Sequence, residues 1–210
     1  MSGRQARLVG IGILMLLAAE ARAESENFDS SEAGALPPQW TCGVSGRGTP
    51  MWAVERDDTA PSKPNVLKKS GQGTFPWCVN IGSSLIDGYV ETRFKPIAGK
   101  EDQAAGLVWR FTGPKSFYVA RANALENNVS LYYMWRGWRR TIQYVDAPVP
   151  LGEWGTLRVD FSGDRIEVSL NGKIYIDVRD DRIPEAGHVG VWTKADSVTI
   201  FDDFSFARTH

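Results

Sequence analysis

Apolar and polar residues alternate with a period of two along much of this chain, the signature of strands with one buried and one wet face. The pattern is cleanest late in the sequence. Leu157, Val159 and Phe161 alternate with Arg158 and Asp160. Ile166, Val168 and Leu170 alternate with Arg165, Glu167 and Ser169, and Ile174, Ile176 and Val178 continue the pattern. Ser162-Gly163-Asp164 separates the first pair, and Asn171-Gly172 offers a two-residue hairpin turn, whose left-handed backbone these residues tolerate. A second kind of pattern runs from Gly99 to Trp135. Strands are expected over Ala104–Phe111, Ser116–Asn123 and Val129–Trp135, but their alternation is mixed. Leu107, Trp109 and Phe111 would share one face and Gly106, Val108 and Arg110 the other. On the next strand Phe117, Val119, Arg121 and Asn123 oppose Tyr118, Ala120 and Ala122. Aromatic, cationic and amide groups on otherwise interior-like strands suit a sheet whose second face binds something.

Further strands are expected at Met51–Arg56, Val66–Lys69, Phe75–Ile81, Tyr89–Lys95, Trp138–Tyr144, Gly187–Thr193 and Ser197–Ala207. Glu24–Gln39 is polar and interrupted by Pro37-Pro38, with Phe28 and Trp40 as its tethers to the core. No amphipathic helix, internal repeat or low-complexity run stands out. About a dozen short strands with turns every 8–12 residues predict an all-β sandwich of two antiparallel sheets. One sheet is wet outside and the other carries the mixed strands, as in a curved sandwich with a concave binding face.

The first 23 residues stand apart. Arg4 and Arg7, the apolar run Leu8–Ala19 and Ala21-Arg22-Ala23 read as a secretory signal peptide cleaved after Ala23. Twelve apolar residues are too few for a bilayer span, which needs about 20, so no stable membrane insertion is expected after cleavage. Residues 24–210 then form one domain, in the periplasm or outside the cell. The whole chain has a net charge of −1. Losing the leader leaves 21 basic and 24 acidic residues, a balance that gives no support to nucleic-acid binding. The two cysteines, Cys42 and Cys78, are expected to form a disulfide in an oxidising compartment. No metal or cofactor is expected. The only histidines are His188 and His210, and Asp202-Asp203 falls short of the six to eight oxygens calcium takes.

Three segments, Gly99–Phe111 (GKEDQAAGLVWRF), Tyr118–Tyr132 (YVARANALENNVSLY) and Val189–Phe206 (VGVWTKADSVTIFDDFSF), together with Trp154–Val159 and the Asn-Gly hairpin, carry a resemblance. They resemble the 3-keto-disaccharide hydrolase type of domain found in exported bacterial proteins, within the concanavalin A-like lectin/glucanase sandwiches. The resemblance implies a jelly-roll sandwich and a carbohydrate-related role: a hydrolase, a lyase-like enzyme or a glycan-binding module. One departure is clear. The E-x-D-x-x-E strand of laminarinase-type glucanases is missing, and nothing local supplies the two carboxyls about 5–5.5 Å apart that a retaining glycosidase needs.

Arg121, Asn123, Glu126 and Asn127 form the sharpest cluster. Glu126 offers a general base, Arg121 or Lys194 a cation for an enolate oxygen, and Asn123 and Asn127 hydrogen bonds to sugar hydroxyls. The plainer expectation is that Arg121 pairs with Glu126 while the asparagines cap the turn. Trp109 is a candidate platform for a sugar ring or else a core residue. Arg110, on the opposite face, and Glu101, Asp102 and Gln103, just ahead of the first mixed strand, complete the candidate binding residues. A carbohydrate or glycoside ligand is expected. Any protein partner would be a separate chain, meeting the aromatic face.

Overall fold

The computed structural model describes residues 23–209. The expected leader lies outside them except for Ala23. Among the described residues, thirteen antiparallel strands account for the regular structure. In chain order they are β1 (Glu24–Glu26), β2 (Trp40–Arg56), β3 (Asn65–Leu85), β4 (Gly88–Ala98), β5 (Ala104–Gly113), β6 (Ser116–Asn123) and β7 (Asn128–Trp135). They continue with β8 (Trp138–Asp146), β9 (Gly155–Ser162), β10 (Arg165–Leu170), β11 (Lys173–Arg179), β12 (Gly187–Trp192) and β13 (Val198–Arg208). No helix among the described residues is long and apolar enough to cross a membrane.

Hydrogen bonding runs in the order β11-β10-β9-β4-β13-β3-β12-β5-β6-β7-β8. The path folds over at β3. Its first half pairs with β13 through Leu67–Lys69, and its second half pairs with β12 from Trp77 onward. β3 therefore belongs to both layers, and β2 lines it along nearly its whole length. Ser70–Thr74, which reads as a break between two short strands, continues the strand instead, because Gly48–Met51 pair with Ser70–Gly73. Cys42 and Cys78 face each other in this ladder and form the expected disulfide.

The main core lies between the layers. Val90, Phe94, Leu157, Val159, Val168 and Phe201 of the first sheet pack with Leu107, Trp109, Tyr118, Ala120 and Leu131 of the second. Phe28 and Trp40 join it edge to face, 5.7 Å between ring centroids, so the polar N-terminal segment is tethered as expected. A second apolar cluster sits on the outer face of the second sheet. It contains Val79, Val108, Phe111, Phe117, Val119, Tyr132, Met134 and Trp192, with half-buried Phe75 and Trp77 against it. This explains the mixed alternation: β5–β7 bury side chains on both faces.

Candidate functional site

Antiparallel register places side chains that lie far apart in sequence in one line across the outer face. Directly paired residues run Gly43 (β2), Trp77 (β3), Trp192 (β12), Gly106 (β5), Arg121 (β6), Ser130 (β7) and Tyr144 (β8). Side chains directly opposite one another share a face. Both glycines leave room for tryptophans. A Cβ at Gly43 would lie 2.5 Å from Trp77 Cζ2, and one at Gly106 would lie 3.0 Å from Trp192 Cε3.

Arg121, the fifth of the seven, is completely buried. Its Nε donates to Ser130 Oγ at 3.1 Å, and its Nη2 donates to Glu126 Oε2 at 2.5 Å and to Asn128 Oδ1 at 3.1 Å. Nη1 lies 3.5 Å from Asp102 Oδ2. The guanidinium also lies over the rings of Tyr132 and Tyr144, 5.5 and 5.8 Å from their centroids. Asp102 is equally buried and receives a hydrogen bond from Asn123 Nδ2 at 3.0 Å and one from Lys194 Nζ. Two cations and two carboxylates thus neutralise one another, which a low-dielectric position requires.

The turn between β6 and β7 supports this network. Asn123 Oδ1 accepts the amides of Leu125 and Glu126, and Asn127 holds the left-handed backbone the turn needs, with φ of 50°. The Asn127 side chain accepts the amide of Val149, so it braces the Ala147–Val149 connection and does not point into the network. Partial burial pushes the Glu126 carboxyl up, but the Asn128 amide and the Arg121 guanidinium outweigh it and hold its pKa below the ordinary value. Glu126 keeps a 39% exposed side chain and Lys194 a 26% exposed one, so these two present the network to solvent.

Below the rim, Asp196 accepts three consecutive main-chain amides, those of Lys100, Glu101 and Asp102, at 2.7–3.1 Å. The loop that carries Asp102 is therefore fastened to the loop that carries Lys194. Lys69 fastens the second loop in turn. Fully buried, its ammonium donates to the carbonyls of Gly71, Ala195 and Ser197 at 2.8–3.0 Å. Glu101 is exposed and accepts a hydrogen bond from Gln72, while Gln103 binds the Gly99 carbonyl. Both lie at the edge of the site.

The structure corrects six expectations of ligand contact. Asp102 and Asn123 are fully buried and bond each other within the network, and the Asn127 side chain accepts the Val149 amide, so these three brace the site and do not reach a ligand. Trp109 offers no platform, since it is fully buried in the core between Tyr118 and Phe161, 5.2 and 5.9 Å away by ring centroid. Arg110 does not line the outer face either. It adopts a left-handed φ of 47°, and this bulge reverses the facing of β5 from there onward. Its guanidinium turns toward the carbonyls of Ile86, Gly163 and Ile183, and Phe111 joins the outer cluster. Arg121 is placed at the site, but its burial removes it from direct contact with a ligand. Its guanidinium pairs with Glu126 instead.

Tyr132, Tyr144, Arg139, Trp77, Phe75 and Ser130 belong to the same face and escape a local reading of the sequence. The Tyr132 hydroxyl bonds that of Tyr144 at 2.5 Å, and Arg139 lies over Tyr132 and Phe75 at 4.2 and 4.9 Å. Extending the β6–β7 register outward from Arg121 is the signal that finds them.

No family model and no curated protein matches the chain. Solved structures do. A carbohydrate-binding module, CBM66, from Bacillus subtilis is similar with a TM-score of 0.67 and 19% identity over 80% of this chain and 95% of that one. A β-glucanase of Bacillus licheniformis gives 0.61 and 11% over 90% and 98%, and a cellulose-induced protein, Cip1, gives 0.64 and 18% over 89% and 98%. At these identities the likeness is one of fold. It establishes the concanavalin A-like jelly-roll sandwich.

Proposed function

We propose that this protein is an exported glycan-binding domain whose site is the outer face of the second sheet, between Trp77 and Tyr144. The observation that carries the reading is the transverse row. It sets a half-buried tryptophan and an exposed tyrosine on either side of a rigid, charge-neutral network. Aromatic faces stack on the apolar faces of sugar rings, and Lys194, Glu126 and the Tyr144 hydroxyl stand ready for their hydroxyl groups. A network that is already neutral binds neutral polyols without a charge to compensate. The likeness to a carbohydrate-binding module and a glucanase supports this choice of ligand class. The Cys42–Cys78 disulfide accords with export. Calorimetric titration with a panel of neutral oligosaccharides tests it. Binding that falls at least tenfold in Tyr144→Ala and Lys194→Ala, with no sugar released, is the expected result. No binding by the folded wild type to any member would overturn it.

One observation favours a second, catalytic reading. Among the described residues the Glu126 Oε1 atom accepts no hydrogen bond, and its carboxyl stays ionised near neutrality. In a 3-keto-glycoside, the substrate the sequence resemblance implies, the ketone acidifies the proton at C2. Glu126 would take that proton while Lys194 stabilises the enolate oxygen. Cleavage of the C1–O bond would expel the leaving sugar, which takes up a proton, and water would add to C1 of the enone. Release of the sugar from a 3-keto-glucoside, abolished in Glu126→Gln, would establish this reading. Binding without release would exclude it.

A further inference from the structure

The far end of the β6–β7 pair carries a second arrangement. Glu126 sits at the turn joining these eight-residue strands, and Trp135 at the opposite end, roughly 25 Å away at about 3.3 Å per residue. There the β5–β6 and β7–β8 turns flank an open concavity of about 750 Å³, lined by Thr112, Lys115, Ser116, Trp135, Arg136 and Glu185. The two turns are tied together. The Gly137 amide donates to the Lys115 carbonyl at 3.3 Å, and Ser45 Oγ donates to the Pro114 carbonyl at 2.6 Å. Arg136 and Gly137 both have positive φ, 52° and 84°, the tight hairpin turn that matches strand twist. The concavity is thus preformed.

Its chemistry is unlike that of the outer face. Trp135 is 43% exposed and Trp138 71%, and the Arg136 guanidinium lies 5.9 Å from the Trp135 ring centroid. Among the described residues, neither Lys115 nor Arg136, the two cations lining the concavity, takes part in an ion pair. By contrast, the arginines of β9 and β10 (Arg158 and Arg165) are matched to carboxylates. Two unpaired cations thus stand beside exposed indoles at this hairpin tip.

We propose that this concavity is a separate binding site for an acidic saccharide, specifically a uronate residue of a polysaccharide. The Arg136 fork matches a planar carboxylate, and Lys115 adds charge from the opposite turn. Trp135 supplies a stacking face, while Thr112, Ser116 and Glu185 face the ring hydroxyls. The two hydroxyls favour a small polar ring over an anionic lipid surface, and the Glu185 carboxylate, which opposes any anion, is outnumbered by Lys115 and Arg136. The site stands independently of the outer-face reading, since neither needs the other's residues.

The test titrates the purified protein with oligogalacturonate, following tryptophan fluorescence. The methyl ester of the same oligosaccharide and phosphatidylglycerol vesicles serve as comparison probes. Arg136→Asn removes the cation while keeping a residue that accepts left-handed backbone, and Trp135→Leu removes the stacking face. Far-UV circular dichroism checks that both fold. The expected result is saturable binding of the acid that weakens at least tenfold in each variant. It should also weaken as salt rises from about 0.1 to 1 M, where the screening length shrinks from about 10 to 3 Å. Equal binding of the ester, binding unchanged in both variants, or binding to vesicles alone would overturn the proposal. So would self-association through the tip without saccharide binding.

Discussion

The Lys69 ammonium lies 2.8 Å from the carbonyl oxygen of Ala195, at a position with no solvent exposure, and so holds the loop between β12 and β13 against β3. Burial pushes the Lys69 pKa down from 10.5 to about 8, against the opposing pull of Asp196 and Asp102. Between those values the unfolded chain carries a proton that the folded chain lacks. This group's contribution to stability therefore rises with pH across that window, and its burial penalty is fully present below about 8. Lys69→Met removes the titration and leaves three carbonyls unpaired, at a cost of about 2–4 kcal/mol near neutrality. Urea unfolding of both proteins at several pH values checks this. The gap between wild type and variant should widen from pH 8 upward, and a gap that stays constant would contradict the assignment.

Asp196 tests the second fastening. Burial pushes its carboxyl up, but the amides of Lys100, Glu101 and Asp102 outweigh burial and hold its pKa below 3.8. With a depressed folded-state value, its contribution is present above about 3.8 and lost as pH falls through the folded value. Glu126 behaves in the same way below its ordinary 4.5. Asp196→Ala should cost about 1–3 kcal/mol and speed hydrogen exchange at the three amides at least tenfold. Unchanged exchange there would show that the loop holds itself.

Gly43→Ala probes the aromatic end of the row. The new methyl would meet Trp77 Cζ2 at 2.5 Å and Cη2 at 2.8 Å, so the indole must move. Overpacking of this kind costs about 1–3 kcal/mol. Near-UV circular dichroism should report the displaced ring, and affinity for a neutral glycan should fall with it. Full affinity in a variant whose Trp77 has demonstrably moved would exclude that ring from the binding face.

Trp109→Ala should separate core from site. Removing an indole packed between Tyr118 and Phe161 costs about 3–5 kcal/mol, read as a lowered urea midpoint. The molecules that remain folded should bind glycan with unchanged affinity. A selective loss of affinity at intact stability would return Trp109 to the site.

The alternation of side chains was enough to place β6 at Ser116–Asn123 and to divide Phe117, Val119 and Arg121 from Tyr118 and Ala120. It failed at Arg110. One left-handed residue changes the parity of a strand, and a pattern of period two carries no mark of it. It also failed at Ser70–Thr74, whose small and polar residues look like a loop but are carried along the β2 ladder, with Gly71 at a left-handed φ of 71°. The turn holding Glu126 was visible as a cluster of polar types, and its pairing with Arg121 was among the expectations. The depth of Arg121 was not. An arginine in a sequence looks solvated, and only the register brings Asp102, Ser130 and Asn128 around it. Lys69 was hidden for the same reason: its three acceptors are main-chain atoms and leave no trace in residue types.

β3 enters the ladders of both layers, and that has a consequence for how the domain yields. Sliding one sheet over the other would tear a strand that each needs, and the β2 partner bridged to it by Cys42–Cys78 resists the same motion. A continuous strand therefore joins the layers. A ligand on one face meets a surface whose shape is set by the whole molecule, and damage anywhere along residues 65–85 should be felt on both sides at once.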